Sequence, residues 1–277
     1  MLSASPRNFA TRTVALTGGA GGIGRALAAR FAASGAKIVL LDVDAEALEA
    51  AERELAERGT EVLAVRCDIT RADECRVASE RIVERFGGVD VLINNAGLVH
   101  RSAFRDTDVD VFRRVMEVNY FGSLNVTKAM LDSLVARRGL IIVVSSIAGL
   151  SPLYGRSGYS ASKHALHGLF ESLRSELEGS GVEVLMVCPS FTRTAFEQRA
   201  LDARGGRVRR GRSKLGSEAT PEFVAESVYR AALRHRRLLV LSPVGKLSIW
   251  LSRLAPGLHT RLMARTLRDE LGSDGSP

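Results

Sequence analysis

The chain of 277 residues is 45% hydrophobic and 25% charged, with a formal net charge of +8 and a pI near 9.9. Its three cysteines, Cys67, Cys75 and Cys188, form neither a C-x-x-C pair nor a metal-ligand cluster, which sets aside a disulfide framework and a metal centre and points to a reducing compartment. No apolar stretch is long enough to cross a bilayer, Met1 to Arg7 lacks the apolar core of a signal peptide, and the basic residues form no helix-turn-helix, zinc-finger or aromatic-basic pattern, so a cytoplasmic protein that binds no nucleic acid is expected.

Short β-branched runs alternate with helical periodicity along the chain. Strands are predicted at 13–17, 37–42, 61–66, 90–93, 139–145, 182–188 and 238–241, and helices near 23–34, 45–58, 72–86, 108–136, 158–179 and 221–235. This alternation implies a single α/β domain over residues 1–277, a Rossmann-type doubly wound parallel sheet of about seven strands with helices on both faces. Right-handed crossovers then put the ligand site at the carboxyl ends of the strands, where strand order reverses.

The first such end carries Thr17-Gly18-Gly19-Ala20-Gly21-Gly22-Ile23-Gly24, directly after Val14-Ala15-Leu16 and directly before a helical pattern through Leu27, Phe31 and Ala32. Gly18, Gly22 and Gly24 permit a tight turn, close approach to a pyrophosphate and helix-on-strand packing, while the amides that open the helix, Ile23 among them, are donors for phosphate. The spacing differs from G-x-G-x-x-G, so the strand and helix around it carry the reading. Asp42 ends the second strand, about twenty residues past the glycines, where a carboxylate can accept both hydroxyls of an adenosine ribose and repels a 2′-phosphate. That favours NAD; NADP stays open because Arg25 could offset the repulsion. The competing role of capping the next helix can be filled by Asp44 instead.

Asp68 follows the third strand, Asn94-Asn95-Ala96-Gly97 the fourth and Ser145-Ser146 the fifth. The helix predicted from residue 158 carries Tyr159 and Lys163 within Ser157-Gly158-Tyr159-Ser160-Ala161-Ser162-Lys163, and the i, i+4 spacing sets a phenol beside an ammonium. A phenol ordinarily ionises near pKa ~10, and a fixed ammonium favours the phenolate, so such a tyrosine can trade protons near neutral pH.

Taken together, in this order and at these separations, the motifs resemble the classical short-chain dehydrogenase/reductase family over roughly residues 10 to 243. The resemblance implies an NAD(P)-dependent oxidoreductase that moves a hydride between the nicotinamide and a secondary alcohol or ketone of hydrophobic or acyl type. It puts the family's catalytic tetrad on Asn119, Ser146, Tyr159 and Lys163; Ser146 is preferred to Ser145 because it stands thirteen positions before Tyr159. It further implies that Asp68 contacts the adenine, that Asn95, Ala96 and Gly97 line the cofactor, and that Tyr159 and Lys163 face the nicotinamide and its ribose. Asn119 would hold a water linking Lys163 to solvent, and Pro189 and Thr194 would border the nicotinamide carboxamide, with Ser190 standing where the family has glycine. A small-molecule alcohol or carbonyl substrate and a homo-oligomer belong to the same expectation. The alternative is a non-catalytic dinucleotide-binding module with a regulatory or scaffold role, which has no use for Ser146, Tyr159 and Lys163 together.

From Thr192 to Thr220 apolar periodicity fades, and Arg193, Arg199, Arg204, Arg207, Arg209, Arg210, Arg212 and Lys214 accumulate. By position this is the family's substrate lid, at about 191–219, made flexible by Gly205-Gly206 and Gly211. Its cations either attract an acidic substrate, such as an acyl group on coenzyme A or a carrier protein, or form a solvated loop. An extension at about 244–271 sets Leu247, Trp250, Leu251, Leu254, Leu258, Leu262 and Leu267 at near-helical spacing among Arg253, Arg261, Arg265 and Arg268, split into two helices by Pro256-Gly257. It can make peripheral contact with an anionic membrane, cover the substrate pocket or pack on a second subunit.

Overall fold

The computed structural model describes residues 6–194, 196–208 and 218–267. Seven strands form one parallel sheet: β1 (Thr13–Thr17), β2 (Lys37–Asp42), β3 (Val62–Arg66), β4 (Val91–Asn94), β5 (Leu140–Val144), β6 (Glu183–Cys188) and β7 (Leu238–Val240). Their order is β3-β2-β1-β4-β5-β6-β7. The crossovers run through α1 (Gly22–Ala32), α2 (Ala45–Glu57), α3 (Ala72–Phe86), α4 (Val109–Met116), α5 (Gly122–Ala136), α6 (Ser157–Glu176) and α7 (Pro221–Leu233). Strand order reverses between β1 and β4, which opens a crevice at their carboxyl ends.

Every residue of β1, β4 and β5 is buried, which is why these strands read as continuous apolar runs rather than as alternating ones. Successive side chains still divide between the two faces. Leu16, Leu40, Ile93 and Val187 pack under Leu27 and Phe31 of α1, Leu48 of α2 and Val228 of α7. Ala15, Leu41, Leu92 and Met186 pack under Ile82 of α3, Met130 of α5 and Phe170 of α6. The two apolar layers hold the carboxyl ends of the strands rigidly in place, and the functional loops hang from them.

The helix predicted over 108–136 is interrupted. A π turn at Glu117–Phe121 separates α4 from α5, and the Gly122 N–H bonds back to Glu117. The inserted residue sits where Asn119 turns inward to the backbone of Leu98, a tertiary contact that wins over the regular helical ladder. After β7 the chain forms α8 (Pro243–Leu254) and α9 (Pro256–Leu267), divided at Ala255. No helix among the described residues is long and apolar enough to cross a membrane.

The described residues of the expected lid segment are tied to the loop after β4. Leu201 bridges to His100 on one side and to Arg207 on the other, and its N–H and C=O bond to Val99 and Arg101. Gly205-Gly206 forms a tight turn closed by the Asp202 carboxylate, which accepts the N–H groups of Arg204 and Gly206, both at 2.9 Å. The mobility expected at Gly211 and the roles expected of Arg209, Arg210, Arg212, Lys214 and Arg268 concern positions outside the described residues.

Candidate active site

The glycine turn between β1 and α1 leaves the helix start uncapped. Gly21 occupies the N-cap position, no side chain bonds there, and the first turn holds no acidic residue. By contrast Asp44, Thr220 and Ser242 cap α2, α7 and α8 with their side chains. Open amides at a strand's carboxyl end form an anion site, so the donor set at Gly22, Ile23 and Gly24 fits a pyrophosphate. Gly18 is required by its φ of +63°, and Gly24 by contact, since a Cβ there would lie 2.0 Å from the Gly18 oxygen. Thr194 borders the same turn: a Cβ on Gly22 would meet its Cβ at 3.4 Å.

Asp42 reaches this loop from the end of β2. Its Oδ2 accepts the Ala20 N–H at 3.1 Å and its Oδ1 accepts the Asp44 N–H at 3.2 Å. Capping of α2 falls to Asp44, which accepts the Ala47 N–H at 3.1 Å. Arg25 is held by Glu54, both Nε and Nη2 bonding one carboxylate oxygen, and Glu54 in turn stays below the usual carboxylate range chiefly through that hydrogen bond. The guanidinium thus already has an anionic partner in place of a ribose phosphate. Asp68 folds onto its own loop, accepting the N–H of Thr70 at 3.0 Å and its hydroxyl at 2.8 Å. Asn95 is a strut. Its Nδ2 donates to the carbonyls of Thr17 and Gly18, while the Thr17 hydroxyl accepts the N–H groups of Asn95 and Ala96.

Two of the four proposed catalytic side chains, Lys163 and Asn119, meet at Gly97. Lys163 is buried, and its Nζ donates to the Val144 carbonyl at 2.9 Å; burial pushes its ammonium down to about 8, so it remains charged at neutral pH. Its Nζ lies 5.8 Å from the centre of the Tyr159 ring. A Cβ on Gly97 would sit 3.6 Å from that Nζ and 3.3 Å from Asn119 Oδ1, so a side chain here would press on both groups. Ser146 heads the 3-10 turn Ile147–Gly149 and accepts the Ala148 N–H at 3.1 Å, which leaves its own O–H to donate. Pro189 joins the end of β6 to the same turn, its carbonyl accepting the Ile147 N–H. Ser145, next to it, is structural: its hydroxyl donates to the Lys163 carbonyl at 3.4 Å. Ser190 lacks a left-handed backbone angle, so the loop has no need of the family's glycine.

Asn119 is fully committed to protein partners. Its Oδ1 accepts the Leu98 N–H at 2.7 Å, and its Nδ2 donates to the Leu98 carbonyl at 2.9 Å and to Ser162 Oγ at 2.8 Å. Its main-chain carbonyl accepts the Ser123 hydroxyl at 2.8 Å.

Two positioning residues escaped the sequence reading. Ser162 Oγ, besides accepting from Asn119, donates to the Tyr159 carbonyl at 2.8 Å. His100 is wholly buried, and its Nε2 accepts the Gly158 N–H at 2.9 Å, capping α6 one residue before Tyr159. Burial, reinforced by Arg156, pushes its imidazole down to about 4, so the ring is neutral and its proton sits on Nδ1, donating to Ser102 Oγ at 3.1 Å. Ser102 continues to Thr107 and from there to the Ala103 carbonyl. Nothing in the local pattern marks a histidine sixty residues away in sequence as the cap of α6 (the gap is roughly that long), so only tertiary structure could reveal it.

The wall around Tyr159 is apolar. Val99, Val111, Val115, Ala148, Ala200 and Leu201 cluster with it, and the Phe196 ring stands 6.4 Å from the tyrosine ring at a tilt of 55°. The lid thus turns its apolar residues inward, while Arg199, Arg204 and Arg207 are exposed and Arg193 lies 3.8 Å from Glu218.

The sequence profile of the short chain dehydrogenase family matches residues 12–205, well over half of the chain. The chain belongs to the short-chain dehydrogenase family. Among curated members of that family, the mouse protein named dehydrogenase/reductase SDR family member 7B is 38% identical over 269 residues, covering 95% of this chain and 83% of the relative. An uncharacterized oxidoreductase of Mycobacterium bovis is 38% identical over 213 residues, covering 75% of this chain and 85% of the relative. Among solved structures, a short-chain dehydrogenase/reductase from Burkholderia phymatum in complex with NAD superposes with a TM-score of 0.82 at 25% identity, covering 91% of this chain and 96% of that one. An alcohol dehydrogenase of the archaeon Thermococcus sibiricus, complexed with 5-hydroxy-NADP, gives a TM-score of 0.72 at 27% identity, covering 83% and 95%.

The buried ammonium of this family member has a measurable signature in the protein without cofactor. The folded state holds Lys163 at about 8 while the unfolded chain keeps a lysine's ordinary 10.5, so between these values the unfolded state binds the extra proton and native stability rises with pH. A Lys163→Met variant lacks that rise. Comparing thermal unfolding of the two proteins from pH 8 to 10.5 should show the wild type gaining on the variant; parallel curves would mean that burial does not lower the Lys163 ammonium.

Proposed function

We propose that this oxidoreductase transfers a hydride between a nicotinamide dinucleotide, NAD in preference to NADP, and the carbinol or carbonyl carbon of an apolar secondary alcohol or ketone. The observation that carries this reading is the buried Lys163 ammonium, fixed to the Val144 carbonyl beside the Tyr159 ring and next to Gly97. When bound, the dinucleotide supplies the hydride. The protein's share is binding, orientation and proton movement. Open amides at Gly22, Ile23 and Gly24 hold the pyrophosphate, and Asp42 takes the adenosine ribose. The Ser146 hydroxyl donates to the substrate oxygen, and the Tyr159 hydroxyl gives or takes the proton there. Lys163 favours the phenolate by its charge, and Asn119 with Ser162 keeps α6 and the segment after β4 in register. Apolar lid residues around Tyr159 favour a hydrophobic substituent on the substrate over a charged one. The three cysteines are buried and free, in keeping with a cytoplasmic setting.

A purely regulatory dinucleotide-binding module has no need of a buried lysine, whose desolvation is costly unless its charge is used. Turnover tests the reading. Panels of secondary alcohols, ketones and 3-oxoacyl thioesters, followed by nicotinamide absorbance, should yield activity with apolar members; cofactor binding with no turnover across the panels would favour the module. Asp42→Ala should lower kcat/KM with NAD by about tenfold or more and narrow the preference over NADP, since one charged hydrogen-bond acceptor is worth about 1.5–3 kcal/mol. A wild-type enzyme that already prefers NADP would show that Asp42 does not set the choice.

A further inference from the structure

The helical pair α8 and α9 is built inside out. Its polar groups face the protein: Ser151, buried in the loop after Ser146, bonds Ser248 Oγ at 2.8 Å and His259 Nε2 at 2.8 Å, and Ser248 reaches the same ring nitrogen at 3.2 Å. Gly245 lies so close to Ile147 that a Cβ there would come 2.2 Å from the isoleucine Cδ1. The pair is therefore seated firmly on the turn that carries Ser146. Leu267 is buried and Ile249, Leu251 and Met263 are half-buried, but six other large apolar side chains stay outside this packing. Val244, Leu247, Trp250, Leu254, Leu258 and Leu262 are between 41% and 75% exposed, and spacings of three or four residues set the first four along one side of α8 and the last two along one side of α9.

Charge identifies what that face fits. From Pro243 to Leu267 the chain carries Lys246, Arg253, Arg261 and Arg265 and no aspartate or glutamate, and all four cations are exposed. A second copy of the chain docking through the same face would set these cations against each other across a two-fold axis. A bilayer containing anionic lipid offers hydrocarbon for the leucines and tryptophan and negative headgroups for the cations around them. We propose that the α8–α9 face docks the enzyme on the surface of an anionic membrane, peripherally and without spanning it. The docking stands apart from the catalytic reading, because none of its residues belongs to the tetrad or to the glycine turn.

Trp250 is the only tryptophan in the chain and sits in the docking face, so its emission reports contact directly. The full-length protein should show a blue shift and co-sediment with vesicles of phosphatidylcholine containing phosphatidylserine, and both effects should weaken with added salt or with vesicles of phosphatidylcholine alone. Replacing Lys246, Arg253, Arg261 and Arg265 by glutamine should lower the partition coefficient by at least about tenfold, and so should Leu247→Ser with Leu254→Ser and Leu258→Ser. All seven side chains are exposed, so the fold tolerates both sets, and turnover of a water-soluble substrate serves as the check on folding. Absence of any shift or co-sedimentation at excess anionic lipid would overturn the proposal. A shift that follows protein concentration without lipid, with a doubled mass by light scattering that the leucine variant abolishes, would overturn it in favour of a second copy.

Discussion

Replacing Tyr159 by phenylalanine should cut kcat by about a thousandfold and leave the dissociation constant for the cofactor within a few-fold of wild type, a loss within the range typical of a positioned acid or base. The substitution deletes one oxygen and keeps the ring that packs in the cluster with Phe196 and Leu201. The glycine turn, Asp42 and Lys163 are untouched, so binding should persist. Lys163→Ala should damage both quantities, because it removes the charge beside the phenol and leaves a buried void under the Val144 carbonyl. Steady-state rates beside cofactor titrations distinguish the two variants. A phenylalanine enzyme with near wild-type turnover would remove Tyr159 from the chemistry.

Gly24→Ala should be the most damaging substitution outside the tetrad. The added carbon would lie 2.0 Å from the Gly18 oxygen and 2.8 Å from Asn95 Nδ2, and neither can retreat: one is backbone at the crevice, the other the strut that ties β4 to the glycine turn. Overpacking against backbone costs about 3 kcal/mol, which for a domain of this size lowers the melting temperature by roughly 5–10 °C. Cofactor affinity should fall with it, as the amides of Gly22 to Gly24 shift. Gly21→Ala is the control, since nothing lies within 4 Å of the carbon it adds; its melting temperature should stay close to wild type. Equal losses at both positions would mean that the helix cap, and not the Gly18–Gly24 contact, governs the turn.

Much of this architecture was legible because parallel strands buried on both faces write themselves as apolar runs. The observed strands begin and end within one residue of those predicted, punctuated by Gly18, Asp42, Asp68 and Asn95 at their carboxyl ends, where backbone turns away from the sheet. The proposed tetrad rests on the spacing of Tyr159 and Lys163 along one helix face and on family order. What remained hidden depends on contacts distant in sequence. The π turn at Asn119 arises from its pairing with Leu98, the cap on α6 from His100, and the link between Asn119 and Tyr159 from Ser162. None of these alters the 3.6-residue period that a sequence displays. Around Gly205-Gly206, glycine suggested looseness, whereas the Asp202 carboxylate closes the turn. The arginines of the same segment drew attention to charge, while Phe196, Ala200 and Leu201, fewer in number, face Tyr159.

Isotope transfer tests most directly whether Tyr159 and its neighbours assist a hydride transfer. Reduced nicotinamide cofactor dideuterated at C4 would be incubated with the protein and the apolar ketones of the panel, and the products analysed by mass spectrometry. The wild-type enzyme should deliver one deuterium to the carbinol carbon of the product alcohol, and the Tyr159→Phe variant should deliver almost none while still binding the cofactor. Stoichiometric cofactor binding by the wild type, with no deuterium reaching any ketone, would contradict the account and leave a dinucleotide-binding module in its place.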